Sequence, residues 1–411
     1  MKEIRLGDYI DLLTDYHSGG SYKILKENTK ILHDPNYAVM LRTLNFERND
    51  FTNELIYCDK KSYDFLDYSH LKENDVLMNK IANPGSVYIM PKVDYKATCA
   101  MNLFLLRFKN INQRYLYYVM KYHEDYIKSK AHGTTTKTIT KEEVRDLVFM
   151  VHDTIDEQNK IEKLLSSIET KIALNNKTNA ELENMAKTVY DYWFTQFDFP
   201  DKNGTPYKTS GGQMVYNETL KRDIPAGWEV KNIFNCADVL YGFPFSTEPF
   251  DEDIVNSTKP YKVIRIRDIQ DNSFSAKTDE EVSSNYKTKI GDLLIGMDGN
   301  FHMNFWNREG DFVNQRIVRV REVDISTMLI YFQIKPYIKA RETNVARSTV
   351  GHLSDKDMKS MNILIPSDKR INEYFNMVLN NICKNRNENE ELARLRDYLL
   401  PLLMNGQIEV K

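Results

Sequence analysis

Apolar residues recur every seventh position over two long stretches, and both stretches keep the same register at an offset of 210 residues. In the first, Ile161, Ile168, Asn175, Leu182 and Val189 form one line, with Leu164, Met185 and Tyr192 between them. In the second the line is Ile371, Val378, Asn385, Leu392 and Leu399, with Tyr374, Leu395 and Leu402 between. A period of seven held over four repeats predicts helices that pair along a seam. The first helix is expected from about Asp156 to Phe194, which at 1.5 Å per residue spans roughly 55 Å. Asn175 and Asn385 occupy matching seam positions. A polar residue there lowers stability but fixes register, since the two amides satisfy each other in one alignment only.

The segments ahead of the two helices read as mixed α/β with many short strands, and they repeat more weakly. Leu103-Phe104-Leu105-Leu106-Arg107 matches Ile317-Val318-Arg319-Val320-Arg321, and Asp75-Val76-Leu77-Met78 matches Asp292-Leu293-Leu294-Ile295. Leu41-Arg42-Thr43-Leu44 matches Ile266-Arg267-Asp268-Ile269, and the Gly133–Thr140 stretch faces Arg347–Ser354. Between the halves, Pro200, Gly204, Pro206, Gly211 and Gly212 mark a linker. The division expected is a first domain over 1–153, a central helix over 154–197, a linker over 198–227, a second domain over 228–366 and a C-terminal helix over 367–411.

Composition adds bounds. With 411 residues, 41% hydrophobic and 28% charged, the chain has the make-up of a globular protein with more than one core. No run approaches a membrane span or a signal peptide, and four scattered cysteines suggest free thiols in a reducing cytoplasm. There is no Gly-rich loop followed by Lys-Ser or Lys-Thr, and no Gly-x-Gly-x-x-Gly after a strand. Asp34-Pro35-Asn36-Tyr37 has the outline of an amino-methyltransferase tetrad but reads better as a turn. The eight histidines lack metal-ligand spacing. No catalytic or metal site is expected.

What remains is recognition. A net charge of −3 does not preclude a locally basic face. Basic residues gather in the two domains rather than in the helices, beside Asn, Gln, Ser and Thr side chains of the kind that read base edges. The candidate DNA-contacting residues are Arg42, Thr134, Thr135 and Lys137 in the first domain. In the second they are Arg265, Arg267, Asn314, Gln315, Arg316, Ser348 and Thr349. The residues expected to pair the helices are Ile161, Ile168, Asn175, Leu182, Ile371, Val378, Asn385 and Leu392.

Several longer motifs carry a family likeness. They are Asn179-Ala180-Glu181-Leu182 running into Val189-Tyr190-Asp191-Tyr192-Trp193-Phe194, then Gln196-Phe197-Asp198-Phe199-Pro200, and Ile224-Pro225-Ala226-Gly227-Trp228-Glu229. The ending Leu392-Ala393-Arg394-Leu395-Arg396-Asp397-Tyr398-Leu399-Leu400-Pro401 belongs with them. Over essentially its whole length the chain resembles the DNA sequence specificity subunit of type I restriction–modification enzymes. The resemblance implies two α/β target recognition domains separated by two long antiparallel coiled-coil helices, with an internal pseudo-twofold repeat. It implies a non-catalytic subunit that binds double-stranded DNA, two modification (methyltransferase) subunits and restriction subunits. Each domain would read one half of a split target, and the helices would set the spacer and dock the methyltransferases. S-adenosyl-methionine, ATP and Mg²⁺ are then expected on the partners and no cofactor on this chain. In the first domain the Asp298-Gly299 turn has only Asn83-Pro84-Gly85 as a counterpart, and Asn314-Gln315-Arg316 faces Ala100-Met101-Asn102. Two other readings stay open at this point, a stand-alone adenine methyltransferase with duplicated recognition domains and a coiled-coil scaffold without a DNA role.

Overall fold

The computed structural model describes residues 1–133, 136–246, 250–254, 256–345 and 351–410. It divides into two compact units, one of residues 1–170 with 392–411 and one of residues 171–391.

In the first unit the apolar run at 103–108 becomes the strand that organises everything else. β1 (Lys2–Arg5), β2 (Ile10–Asp15), β3 (Ala38–Leu41), β4 (Ile56–Cys58), β5 (Val76–Asn79), β6 (Val87–Ile89), β7 (Ala97–Cys99), β8 (Leu103–Phe108) and β9 (Val148–Val151) make three sheets. The largest has the order β2-β8-β5-β6 and is antiparallel; a second has the order β4-β3-β7, and β1 pairs with β9. β8 is apolar on both faces because both faces are covered. Phe104 and Leu106 pack with Val76 and Met78 against Tyr115, Leu116 and Val119 of the helix Gln113–Tyr122. Leu103 and Leu105 turn the other way, onto Val39, Leu41 and Cys99 of the smaller sheet. Asn112 starts that helix by accepting a hydrogen bond from the Tyr115 amide at 2.8 Å, which supplies one of the donors a helix start leaves open. Ile161 and Leu165 of the central helix and Leu403 and Met404 of the C-terminal helix close the same core.

The second unit repeats this plan. Its strands are β10 (Met214–Asn217), β11 (Arg222–Pro225), β12 (Glu229–Asn232), β13 (Ala237–Tyr241), β14 (Tyr261–Ile264), β15 (Ala276–Thr278) and β16 (Leu293–Gly296). β17 (Met303–Phe305), β18 (Phe312–Val313), β19 (Ile317–Glu322) and β20 (Asn362–Ile365) complete the set. The orders β13-β19-β16-β17, β15-β14-β18 and β12-β20 copy those of the first unit, down to one antiparallel and one parallel neighbour in the small sheet. A buried ion pair is copied as well. Arg107 clamps Asp75 through two bonds of 2.7 Å, and Arg321 clamps Asp292 through two of 2.8 Å. Paired forks of this kind satisfy carboxylates taken out of water and fix the strand register around them. The stretch 198–227 is more ordered than a plain linker. β10 and β11 form a hairpin, and Phe199 stacks on Trp228 with ring centroids 4.9 Å apart.

The two long helices run Ile155–Tyr190 and Lys369–Met404, the first continuing into a π-helical turn at Asp191–Thr195. Their buried line differs in phase from the one expected. The positions buried beside Ile161 and Ile168 are Leu165, Asn179 and Ala186, four residues on, and not the Leu164 and Met185 line; Met185 and Tyr192 are exposed. The C-terminal helix does the same through Phe375, Ile382 and Leu403, with Leu395 exposed. Ile168, Asn175, Ile371 and Val378 are buried, while Leu182, Asn385 and Leu392 are partly so.

Asn175 and Asn385 do not bond each other. Within the second unit, Asn175 Nδ2 donates to Asn389 Oδ1 at 2.9 Å, and Asn385 Nδ2 donates to Asn179 Oδ1 at 2.8 Å. The helices are antiparallel there, so position 175 meets 389 and its repeat partner 385 meets 179. The two bonds exchange under a local twofold axis passing between Lys177 and Asn387. The physical reason is plain: two antiparallel copies of one sequence bring equivalent residues together only on the axis itself, and these asparagines lie to either side of it.

Candidate nucleic-acid interface

In each domain the parallel pair of short strands ends side by side, and the next residues form one edge. Leu41 of β3 lies against Cys99 of β7, and Ile264 of β14 against Val313 of β18. Arg42 and Arg265 therefore follow equivalent strands, as do Ala100 and Asn314. A second pair of loops meets them from the large sheet. In the second domain Met297 N donates to Arg316 O at 2.9 Å, Leu353 N to Met297 O at 2.7 Å, and Gly299 N to Gly351 O at 3.0 Å. In the first, Lys80 N donates to Asn102 O at 3.0 Å, Ile139 N to Lys80 O at 3.1 Å, and Ala82 N to Lys137 O at 3.3 Å. The counterpart of Asp298-Gly299 is thus Ile81-Ala82, not Asn83-Pro84-Gly85. Ala82 takes φ +70 where Gly299 has +71. A side chain in that left-handed region costs about 1–2 kcal/mol, which the neighbouring backbone bonds offset.

The 314–316 corner of the second domain is held closely from beneath. Asn314 N donates to Ile264 O at 3.2 Å and Gln315 N to Phe243 O at 2.8 Å. A Cβ on Gly242 would lie 2.0 Å from the Asn314 carbonyl oxygen, so only glycine fits there. Arg316, itself at φ +70, is exposed, with its Nε 3.7 Å from Asp298 Oδ2; Asp298 also bonds His352 Nδ1 at 2.6 Å. Gln315 is exposed and Asn314 partly so. Beside them, Arg265 is tied down by Ser275 and by Glu252 at 2.6 Å; Arg267 donates to the same Ser275 Oγ at 3.0 Å but keeps most of its side chain exposed. This edge presents guanidinium and amide groups that can bond base edges or phosphates.

The first domain's edge is chemically different. Arg42 is partly buried and donates to the Glu54 carbonyl. With Ile31, Met40, Ile56, Ala100 and Met101 it lines a recess of about 150 Å³. Lys137 is exposed. Thr134, Thr135, Ser348 and Thr349 lie outside the described residues.

One feature of this edge leaves no motif in the sequence. Lys80 donates to Asp15 and lies 3.0 Å from His17 Nδ1, while Lys141 reaches Asp15 Oδ1 at 3.0 Å and Ser18 Oγ at 2.8 Å. Burial works to raise the Asp15 pKa, but bonds from Lys80, Ser18 and Lys141 prevail and hold it at about 2. The 15–18 turn, Lys80 after β5 and Lys141 at a helix start stand far apart in sequence, and only the fold brings them together.

Among the described residues no group of three or more His, Cys, Asp or Glu could hold a metal ion, and no helix is long and apolar enough to cross a membrane.

Comparison with known proteins fits this geometry. The family model described as the type I restriction modification DNA specificity domain matches twice, at residues 6–184 and 225–394. The MjaIX specificity subunit, a type I restriction enzyme protein of Methanocaldococcus jannaschii, is 24% identical over 314 residues, covering 72% of this chain and 69% of that one. The HindI specificity subunit of Haemophilus influenzae is 21% identical over 409 residues, covering 82% and 87%. The crystal structure of a type I restriction–modification S subunit from M. genitalium superposes with a TM-score of 0.56 at 13% identity, over 98% of this chain and 95% of that one. That likeness is one of fold.

Proposed function

We propose, on the premise that the chain belongs to the type I restriction modification DNA specificity family, that it reads a bipartite duplex DNA target with one half-site for each domain. The observation that carries this reading is a contrast between framework and edge. The two domains keep the same loop-to-loop backbone bonds and the same buried Arg–Asp clamp. At the edge those bonds hold up, however, Asn314-Gln315-Arg316 stands opposite Ala100-Met101-Asn102. A shared scaffold carrying different groups is what two unlike half-sites require, since base edges are told apart by the donors, acceptors and methyl groups offered to them.

The helices act as the spacer and as the docking surface for two modification subunits. Supporting this, Met185 and Leu395 sit at the same repeat position and are 46% and 45% exposed. Two equivalent apolar positions suit two copies of one partner. The chain is then a non-catalytic subunit working in the cytoplasm. S-adenosyl-methionine, ATP and Mg²⁺ belong to the modification and restriction subunits assembled on it.

Methylation mapping of a host that carries the chain with its modification subunits tests the reading. Two short specific half-sites separated by a fixed number of unread base pairs are expected. A continuous motif, or methylation without sequence preference, would overturn it.

A further inference from the structure

The second domain answers the charged Asp15–Lys80–Lys141 cluster with a different contact, in which Tyr241 OH donates to Asp355 Oδ1 at 2.7 Å. Asp15 and Tyr241 occupy equivalent ends of β2 and β13, facing Phe104 and Val318. Lys80 is replaced by Met297, and Lys141, first residue of its short helix, by Asp355. Two residues beyond Asp15 stands His17; two beyond Tyr241 stands Phe243. The first domain has therefore built something of its own at this edge.

Its chemistry is definite. The Lys80 ammonium has donors and no acceptor. With Nζ 3.0 Å from His17 Nδ1, that ring nitrogen must accept, which leaves the ring proton on Nε2. Burial, and next the Lys80 charge, push the His17 pKa below its ordinary value, and Asp15 opposes this only in part. The ring is then neutral at physiological pH. Its backbone is held too: Ser18 Oγ donates to Asp15 Oδ1 at 2.7 Å, Gly20 N to His17 O at 3.3 Å, and Tyr68 OH to Tyr16 O at 2.9 Å. The His17 side chain remains 43% exposed, and Nε2 has no hydrogen-bond partner among the described residues. The edge of the ring left for a ligand is a single N–H of fixed direction.

We propose that His17 is a specificity-determining residue of the first domain, donating its Nε2–H to a major-groove acceptor, one of purine N7, guanine O6 or thymine O4. Lys80 acts as a positioning residue by fixing the tautomer. This rests on the DNA-reading function proposed above. A locked donor cannot serve the amino groups of adenine or cytosine, which need an acceptor. A neutral ring offers a phosphate no charge, which the exposed Lys137 supplies.

The test uses the full chain assembled with its modification subunits, mapping methylation for the wild type, His17→Phe and His17→Ala. The phenylalanine keeps a ring but removes the N–H; the alanine leaves no bulk to misfit. Both are expected to relax one base position in one half-site by roughly 2- to 10-fold in discrimination, with the other half-site and the spacer unchanged. Lys80→Met is expected to relax the same position. A motif unchanged in His17→Phe and His17→Ala overturns the role of His17, whether DNA binding weakens uniformly, as for a phosphate contact, or not at all. Absence of a bipartite motif in the wild type overturns the underlying functional reading as well.

Discussion

Removing one asparagine from the helix seam should cost more than removing its bonded pair. Asn179 is buried, and its Oδ1 accepts from Asn385 Nδ2 at 2.8 Å. In Asn385→Leu that oxygen loses its partner, and Asn179 Nδ2 keeps only the Ile382 carbonyl at 3.4 Å. A buried amide stranded in this way costs about 1–3 kcal/mol. Replacing both partners with leucine removes the stranded group and extends the apolar seam, which is neutral or stabilising. The double mutant Asn179→Leu/Asn385→Leu should thus be at least as stable as the wild type, with a coupling of about 1–3 kcal/mol between the sites. The symmetry-related pair gives an internal control. Asn389→Leu should cost less, because Asn175 Nδ2 retains Glu388 at 2.8 Å. Urea unfolding followed by tryptophan fluorescence is the assay, since Trp193, Trp228 and Trp306 and all four asparagines lie in the 171–391 unit. Additivity of the two single changes within about 0.3 kcal/mol would refute the reasoning.

Gly242→Ala would press a methyl group onto the Asn314 carbonyl, for which about 1–3 kcal/mol is the usual cost of overpacking. Methylation mapping should show one half-site degraded and the other intact. Asp15 is held at about 2 in the fold against an ordinary 3.8, so its contribution is present above the unfolded value and is lost as pH falls through the folded one. That is about 2 kcal/mol of first-unit stability. The protection factors of β8 amides, with the intrinsic pH dependence of exchange divided out, should fall between pH values of about 4 and 2 in the wild type and much less in Asp15→Asn. Met185→Glu and Leu395→Glu should each remove one of two modification subunits from the assembled complex, read as a stepwise loss of mass, and both together should remove two.

The helices and the repeat were legible in the sequence because a period of seven is local and survives duplication. The phase of the seam was not, since residues three and four positions on lie on nearly the same helix face. Only the partner decides that Leu165 and Ala186 are fully buried while Leu164 is partly buried and Met185 exposed. Ile81-Ala82 went unrecognised as a turn because its left-handed residue is not glycine, and the bond from Ala82 N to Lys137 O that holds it spans 55 positions. The aromatic contacts of Phe199 and Trp228, and the meeting of residues 15, 17, 80 and 141, are likewise products of tertiary structure that leave no periodic trace.

If the paired helices set the distance between two DNA-reading domains, lengthening both must lengthen the unread spacer. Inserting one heptad after Lys177 and one after Asn387 keeps both asparagine bonds, because each bonded pair stays on its own side of the local axis. Each helix lengthens by about 10.5 Å, close to three base-pair steps of about 3.4 Å. Methylation mapping of this variant is expected to return the same two half-sites with a spacer about three base pairs longer. The same half-sites at an unchanged spacing would contradict the account.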